Sequence, residues 1–164
     1  MNRVGEALAG IAIGSANATD VDLFGRSAIN RYYYACFLDT REVVLRVLPT
    51  LVIKHKELPT NLNKTFAEKV RREIARLEKQ RIISSRDAIT YRATLNGVVA
   101  NWSEVLSRAY RLRVIADYRP ETKATRAGAG IALDGTSNTQ ARDWYRQTQT
   151  CVGRIMKLWS DLGH

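Results

Sequence analysis

Only two histidines, two cysteines and three prolines occur among 164 residues, and acidic side chains are outnumbered by basic ones, 16 to 26. Each shortage removes a class of protein. Cys36 and Cys151 are too few for a disulfide framework, and both fall on apolar helical stripes, where a free thiol packs as a small hydrophobe. His55 stands in a connector and His164 at the last position, so neither has Cys, His or Asp at metal-ligand spacing. Solvated imidazoles, no metal and no cofactor are expected. No hydrophobic run approaches the roughly 20 residues needed to cross a bilayer, since Arg46 and Lys54 interrupt the most apolar region. The patch from Leu8 to Ile13 is preceded by Glu6 and diluted by Gly5, Gly10 and Gly14, so a secretion signal is not expected. A soluble, cytoplasmic protein without a membrane partner follows as the expectation.

Alternating strand patterns are also scarce, because the Val, Ile and Thr residues do not recur with period two between turn signals. An all-α fold is the expectation, in one domain spanning residues 1–164, which at 45% hydrophobic is long enough for a single substantial core. From about Leu23 to Leu48, Ile29, Tyr33, Cys36, Phe37, Val43, Val44 and Val47 recur at helical spacing, with Asp20 or Asp22 to cap the start and Pro49 to end it. After Asn61, Leu62, Phe66, Val70, Ile74 and Leu77 mark a second helix. Residues 80–94 are less regular. Leu95, Val98, Val99, Trp102, Val105, Leu106, Ala109 and Leu112 then make the cleanest stripe, which runs into Arg113. Pro120, Gly128, Gly130 and Gly135 make residues 119–136 read as a long loop. Ser137 or Asn138 starts a last helix, lined by Ala141, Trp144, Tyr145, Thr148, Cys151, Val152, Ile155, Trp159 and Leu162 and stopped at Gly163. With a short N-terminal helix from Arg3 to Ile13, the expected architecture is an up-and-down bundle of four long helices plus one.

The formal charge of +10 favours a polyanion or an acidic partner over a neutral small substrate. Half of it lies between Lys69 and Arg92, where eight basic residues face Glu73, Glu78 and Asp87. Arg71, Arg72, Arg76 and Arg81 in this segment are candidate nucleic-acid contacts, with Tyr91 or Tyr110 to stack on bases. A solvated helix face with internal ion pairs explains the same pattern, as does docking to an acidic protein.

Two runs are more specific. Arg108 to Tyr118 reads Arg-Ala-Tyr-Arg-Leu-Arg-Val-Ile-Ala-Asp-Tyr, and Ser27 to Phe37 reads Ser-Ala-Ile-Asn-Arg-Tyr-Tyr-Tyr-Ala-Cys-Phe. A Tyr-rich, Ala-rich early helix, a variable middle and a penultimate helix ending in Arg113, Ala116, Asp117 and Tyr118 resemble a HEPN domain over most of the chain. The resemblance implies a helical homodimer, RNA as ligand, and a place in a prokaryotic toxin–antitoxin pair or antiphage defence system. It also implies metal-independent endoribonuclease activity. Arg113, Asp117 and Tyr118 then become the candidate catalytic residues, Arg108 and Arg111 further RNA contacts, and Asn30 and Arg31 supporting groups on the Tyr-rich helix.

Active relatives in that family carry a His about four to six residues after the Arg; here Asp117, Tyr118 and Arg119 occupy those positions. The chemistry makes this departure matter, because cleavage through a 2′-hydroxyl needs a group that accepts a proton near neutral pH and a cation for the developing charge. Histidine suits the first role, with a free pKa near ~6.5. Arg113 keeps the second, since guanidinium offers fixed bidentate donors to phosphate. Binding survives the change better than catalysis, so a second reading stands beside the first: a non-catalytic adaptor that dimerises and docks a nucleotidyltransferase-type antitoxin or a defence effector. A bland alternative remains for Arg113 and Asp117, an i to i+4 ion pair that pins the helix end. Neither a Ser-His-Asp elbow nor a phosphate loop is present, for Arg126 to Gly130 lacks the required Lys and Ser or Thr.

Overall fold

A computed structural model describes residues 1–164 and shows a predominantly helical chain with one small sheet. The elements are α1 (Asn2–Gly14), α2 (Ala18–Val47), α3 (Leu58–Asn61), a π-helical turn (Leu62–Phe66), α4 (Ala67–Lys79), α5 (Ser85–Tyr118), β1 (Thr125–Ala127), β2 (Gly130–Leu133), β3 (Thr136–Ser137) and α6 (Asn138–Asp161). No helix is long and apolar enough to cross a membrane. The residues form two compact units, Met1–Leu38 with Leu106–Gln147, and Asp39–Val105 with Thr148–His164.

In the first unit, α2 starts at Ala18 because Asn17 accepts the Thr19 amide through Oδ1 at 2.9 Å. Asp20 and Asp22, the expected caps, do other work: Asp22 accepts the Ala124 amide at 2.8 Å and so ties down the connector after α5. The core is rich in small residues, with Ala9, Ala12, Ala28, Ala35, Ala109, Ala116 and Ala141 buried beside Ile29, Tyr32, Tyr33, Leu112 and Ile131. Small side chains bring backbones close. A methyl group at Gly5 would lie 2.9 Å from the Tyr32 ring, and one at Gly25 would lie 2.9 Å from Ala124 Cβ.

The expected loop over residues 119–136 is corrected from Thr125 onward. β1, β2 and β3 form an antiparallel sheet in sequence order, with Ala127 paired to Gly130 and Leu133 to Thr136. Both connections are two-residue turns. Asp134 and Gly135 have φ of 48° and 72°, the paired positive values of a type I′ turn. Ile131 and Leu133 are fully buried, so the hairpin contributes to the core. Asn138 secures it by accepting the Ile131 amide at 3.1 Å.

In the second unit the apolar stripes hold as read: Leu62, Phe66, Val70, Ile74 and Leu77 are buried, as are Leu95, Val98, Val99, Trp102 and Val105. Trp102 donates its indole N–H to Thr40 Oγ1 at 3.0 Å and meets the Phe66 ring edge-on at 6.2 Å, which satisfies its one polar atom inside the core. Residues 85–94, expected to be irregular, are the first turns of α5. Ser84 and Asp87 start that helix reciprocally, with the Asp87 amide donating to Ser84 Oγ at 3.1 Å and the Ser84 amide to Asp87 Oδ2 at 3.4 Å. α4 stops in a Schellman motif, in which the Ile82 amide reaches Leu77 O and the Arg81 amide reaches Glu78 O. Its left-handed residue is Arg81, at φ 59°. α6 ends the same way with Gly163, at φ 88°. His164 is not a free solvated imidazole: it stacks on Trp159 at 4.1 Å and contacts Glu73 Oε1 at 3.1 Å. Cys36 and Cys151 are both buried thiols outside any disulfide.

Candidate functional site

The stripe of α5 turns Leu106, Ala109, Leu112 and Ala116 into the core of the first unit and leaves Arg113 and Asp117 on its edge. One turn apart, they share a face, separated by about 40° around the helix. Arg113 Nε lies 2.7 Å from Asp117 Oδ2, with the two side chains 14% and 23% exposed. The approach is off the N–H axis, an ion pair rather than a linear hydrogen bond. From α2, Asn30 donates through Nδ2 to the other carboxylate oxygen, Oδ1, at 2.6 Å. Both oxygens of Asp117 are therefore engaged. The Arg113 guanidinium also lies 5.1 Å from the Tyr118 ring centroid and donates through Nη2 to the Tyr118 hydroxyl at 3.5 Å.

The electrostatics keep Arg113 charged. Burial works against its cation, but Asp117, Tyr118 and Tyr34 outweigh that and push its pKa above the usual value. Beneath the cluster, Tyr33 is 3% exposed, stacks on Phe37 at 6.1 Å and tilts against Tyr110 at 6.0 Å. Burial drives the Tyr33 phenol up, with Arg113 acting against it, so Tyr33 stays neutral and serves as packing. Arg31 lies 5.8 Å from the Tyr34 ring centroid. Asn30 is thus a direct partner of the cluster, whereas Arg31 reaches it through Tyr34, which itself hydrogen-bonds Arg113. Beside Asn30 and Asp117 opens a cleft of about 360 Å³, with Leu23, Arg26, Ser27 and Lys123 in its wall.

Arg108 and Arg111 do not join Arg113. They point to the far side of α5, roughly 140–160° around the helix from it. There they line a separate cleft of about 430 Å³ with Ile115, Thr136, Gln140 and Trp144. The α4 arginines belong to the second unit and are largely committed to neighbours. Arg72 meets Glu68 at 3.6 Å, Arg76 grips Glu73 through two nitrogens, and Arg71 donates to Asn96 Oδ1 at 2.8 Å. Arg92, further along, meets Glu78 at 2.5 Å. Arg81 is exposed at the end of α4.

Two groups belong to the site neighbourhood without having been singled out in the sequence, Tyr34 and Arg26. The signal for Arg26 was its spacing, one turn before Asn30 on the same face of α2. As for chemistry, the cluster offers guanidinium donors and an exposed phenol, while its one carboxylate is occupied. The unit that holds it contains no histidine. No group of three or more His, Cys, Asp or Glu side chains is arranged to hold a metal ion. No protein-family model, curated protein or solved structure matches the chain.

Proposed function

We propose that the protein is a HEPN-like RNA-binding member of a toxin–antitoxin or antiphage defence system, an up-and-down helical homodimer that engages phosphate through Arg113. The observation that carries this reading is the constellation of Arg113, Asp117, Tyr118 and Asn30, in which a part-buried cation is oriented by a carboxylate that is itself held from a second helix. Guanidinium has five N–H donors, and the Nε contact with Asp117, the Nη2 bond to the Tyr118 hydroxyl and the bond to Tyr34 do not use all of them, so donors remain for a phosphate oxygen. Tyr118, 64% exposed, supplies a face on which an unpaired base can stack.

The same geometry favours binding over cleavage. A 2′-hydroxyl must lose a proton to a nearby base, and the only carboxylate in the cluster already accepts from Asn30 and faces Arg113. One observation favours the adaptor reading instead: Leu23 and Tyr118 are apolar and exposed beside the cluster, at 57% and 64%, a surface suited to a cognate antitoxin or effector. The discriminating experiment incubates purified protein with mixed cellular RNA in EDTA, beside Arg113→Ala, and scores both RNA retained on a filter and new fragment ends. Retention by the wild type alone, without new ends, is expected. Fragment ends made by the wild type alone would establish a metal-independent ribonuclease. Retention and cleavage by neither would transfer the case to the adaptor.

A further inference from the structure

α5 ends awkwardly on its own terms. Its last turn carries no basic residue and does carry Asp117, an anion at the end of the helix where carbonyl dipoles are already negative. The compensating cation comes from α2. Arg26 donates through Nη1 to Thr122 O at 2.7 Å and to Arg119 O at 3.0 Å, and through Nη2 to Ile115 O at 3.3 Å. Ile115 O lies in the last turn of α5, and the other two acceptors lie in the turn that follows. One guanidinium thus fastens helix end and turn together. Asp22, one turn earlier on α2, lies 3.9 Å from Arg26, takes Lys123 at 3.2 Å and accepts the Ala124 amide. Gly25 completes the dock by letting Ala124 approach where a side chain would collide.

Arg26 is 14% exposed and its donors are committed to carbonyls, so it is built into the protein and is not a contact for a ligand. What it fixes is direction. Asn30 is one turn along α2 from Arg26, and Asp117 lies between Ile115 and Arg119. The clamp therefore sets where Asp117 points relative to Asn30, and through Asp117 where Arg113 points. We infer that Arg26 is the positioning residue of the Asn30–Asp117–Arg113 cluster, holding the end of α5 in the register that presents Arg113 and Tyr118 to RNA. This inference rests on the RNA reading for its functional consequence, while its geometric part stands apart from it.

The test has two readouts so that the two parts fail separately. In the full-length protein, the Asn30 side-chain amide resonances report its 2.6 Å hydrogen bond to Asp117 directly. Arg26→Ala and Arg26→Lys are compared with wild type, with circular dichroism to establish that the helices remain. Arg26→Ala is expected to move the Asn30 amide signals toward those of a free side chain, and Arg26→Lys to restore them in part, since one ammonium can still reach a carbonyl. Unmoved Asn30 signals in a folded Arg26→Ala overturn the clamp whatever the RNA result. Affinity for a labelled single-stranded RNA is then measured for wild type, Arg26→Ala, Arg113→Ala and the double variant. Arg26→Ala is expected to weaken binding about tenfold, and the double variant to bind no more weakly than Arg113→Ala, because a group acting through Arg113 has nothing left to position. Additive losses overturn the positioning role. Absence of RNA binding by the wild type overturns the RNA reading, and the resonances then still decide the geometry.

Discussion

On α4, Arg72 meets Glu68 at 3.6 Å with both side chains more than half exposed; at the end of α5, Arg113 meets Asp117 at 2.7 Å with both mostly out of solvent. The two pairs have the same i to i+4 spacing and look alike in sequence. Their surroundings separate them. The α4 pair is bathed in water and salt, where such contacts contribute roughly 0–1 kcal/mol and reform easily. The α5 pair is held from outside its own helix by Asn30 on Asp117 and by a Tyr34 hydrogen bond to Arg113, and it lies against Tyr118. Removing one member there leaves a partner with little solvent to replace it. Charge density alone would have pointed to α4, whereas organisation points to α5.

That contrast can be broken at several strengths. The largest effect is expected at Arg113: Arg113→Ala lowers RNA affinity at least tenfold with helical content retained, whereas Arg72→Ala changes it less than threefold. A filter-binding series at fixed salt measures both, and comparable losses at the two positions would erase the distinction.

Glu73 is the exception on α4 and sharpens the rule, for it is a carboxylate taken largely out of water. The Arg76 hydrogen bond holds its pKa down to about 2, against burial and with help from His164. A carboxyl depressed below its unfolded value of 4.5 adds stability that is fully present above pH 4.5 and is lost as pH falls through 4.5 toward 2. The contribution is about 1–2 kcal/mol, less than the whole shift converts to, because Arg76 is half exposed. Urea midpoints for wild type and Glu73→Gln should differ at pH 7 and converge near pH 2. A constant gap would refute the linkage.

A smaller effect belongs to Arg81, whose φ of 59° suits glycine better than arginine. Arg81→Gly is expected to stabilise the protein by about 0.5–1 kcal/mol through relief of the left-handed backbone, read as a rise in melting temperature. Smallest of all is the exposed pair: Arg72→Ala should shift stability by no more than about 0.5 kcal/mol. A shift of 1.5 kcal/mol or more would show that the α4 face is not the loose surface described above.

The helices were legible wherever one face is continuously apolar, as from Leu95 to Leu112, because burial demands that repeat. The start of α5 was not, since between Arg86 and Thr94 only Ala88 is buried and Ile89 points to solvent, which leaves no stripe to read. A capping signal was nevertheless there, in Ser84 three residues before Asp87. The hairpin escaped because its strands are two to four residues long and its glycines read as loop. Yet Asp134-Gly135 between Leu133 and Thr136 is a hairpin turn signal in its own right. Of the candidate site, the Arg113 to Tyr118 grouping was visible from spacing and Asn30 from the Tyr-rich run. Arg108 and Arg111 were grouped with Arg113 by proximity in sequence, although helical geometry turns them to the other side of α5. Arg26 acts on carbonyls about 90 residues away, and no local pattern encodes that kind of contact.

The most direct measurement is fluorescence anisotropy of a labelled single-stranded RNA titrated with wild type, Arg113→Ala and a combined Arg71→Ala, Arg72→Ala variant at two salt concentrations. The expectation is that Arg113→Ala loses at least tenfold in affinity at both, while the α4 variant stays within about threefold and differs from wild type mainly in its salt dependence. A greater loss from the α4 variant than from Arg113→Ala would contradict it.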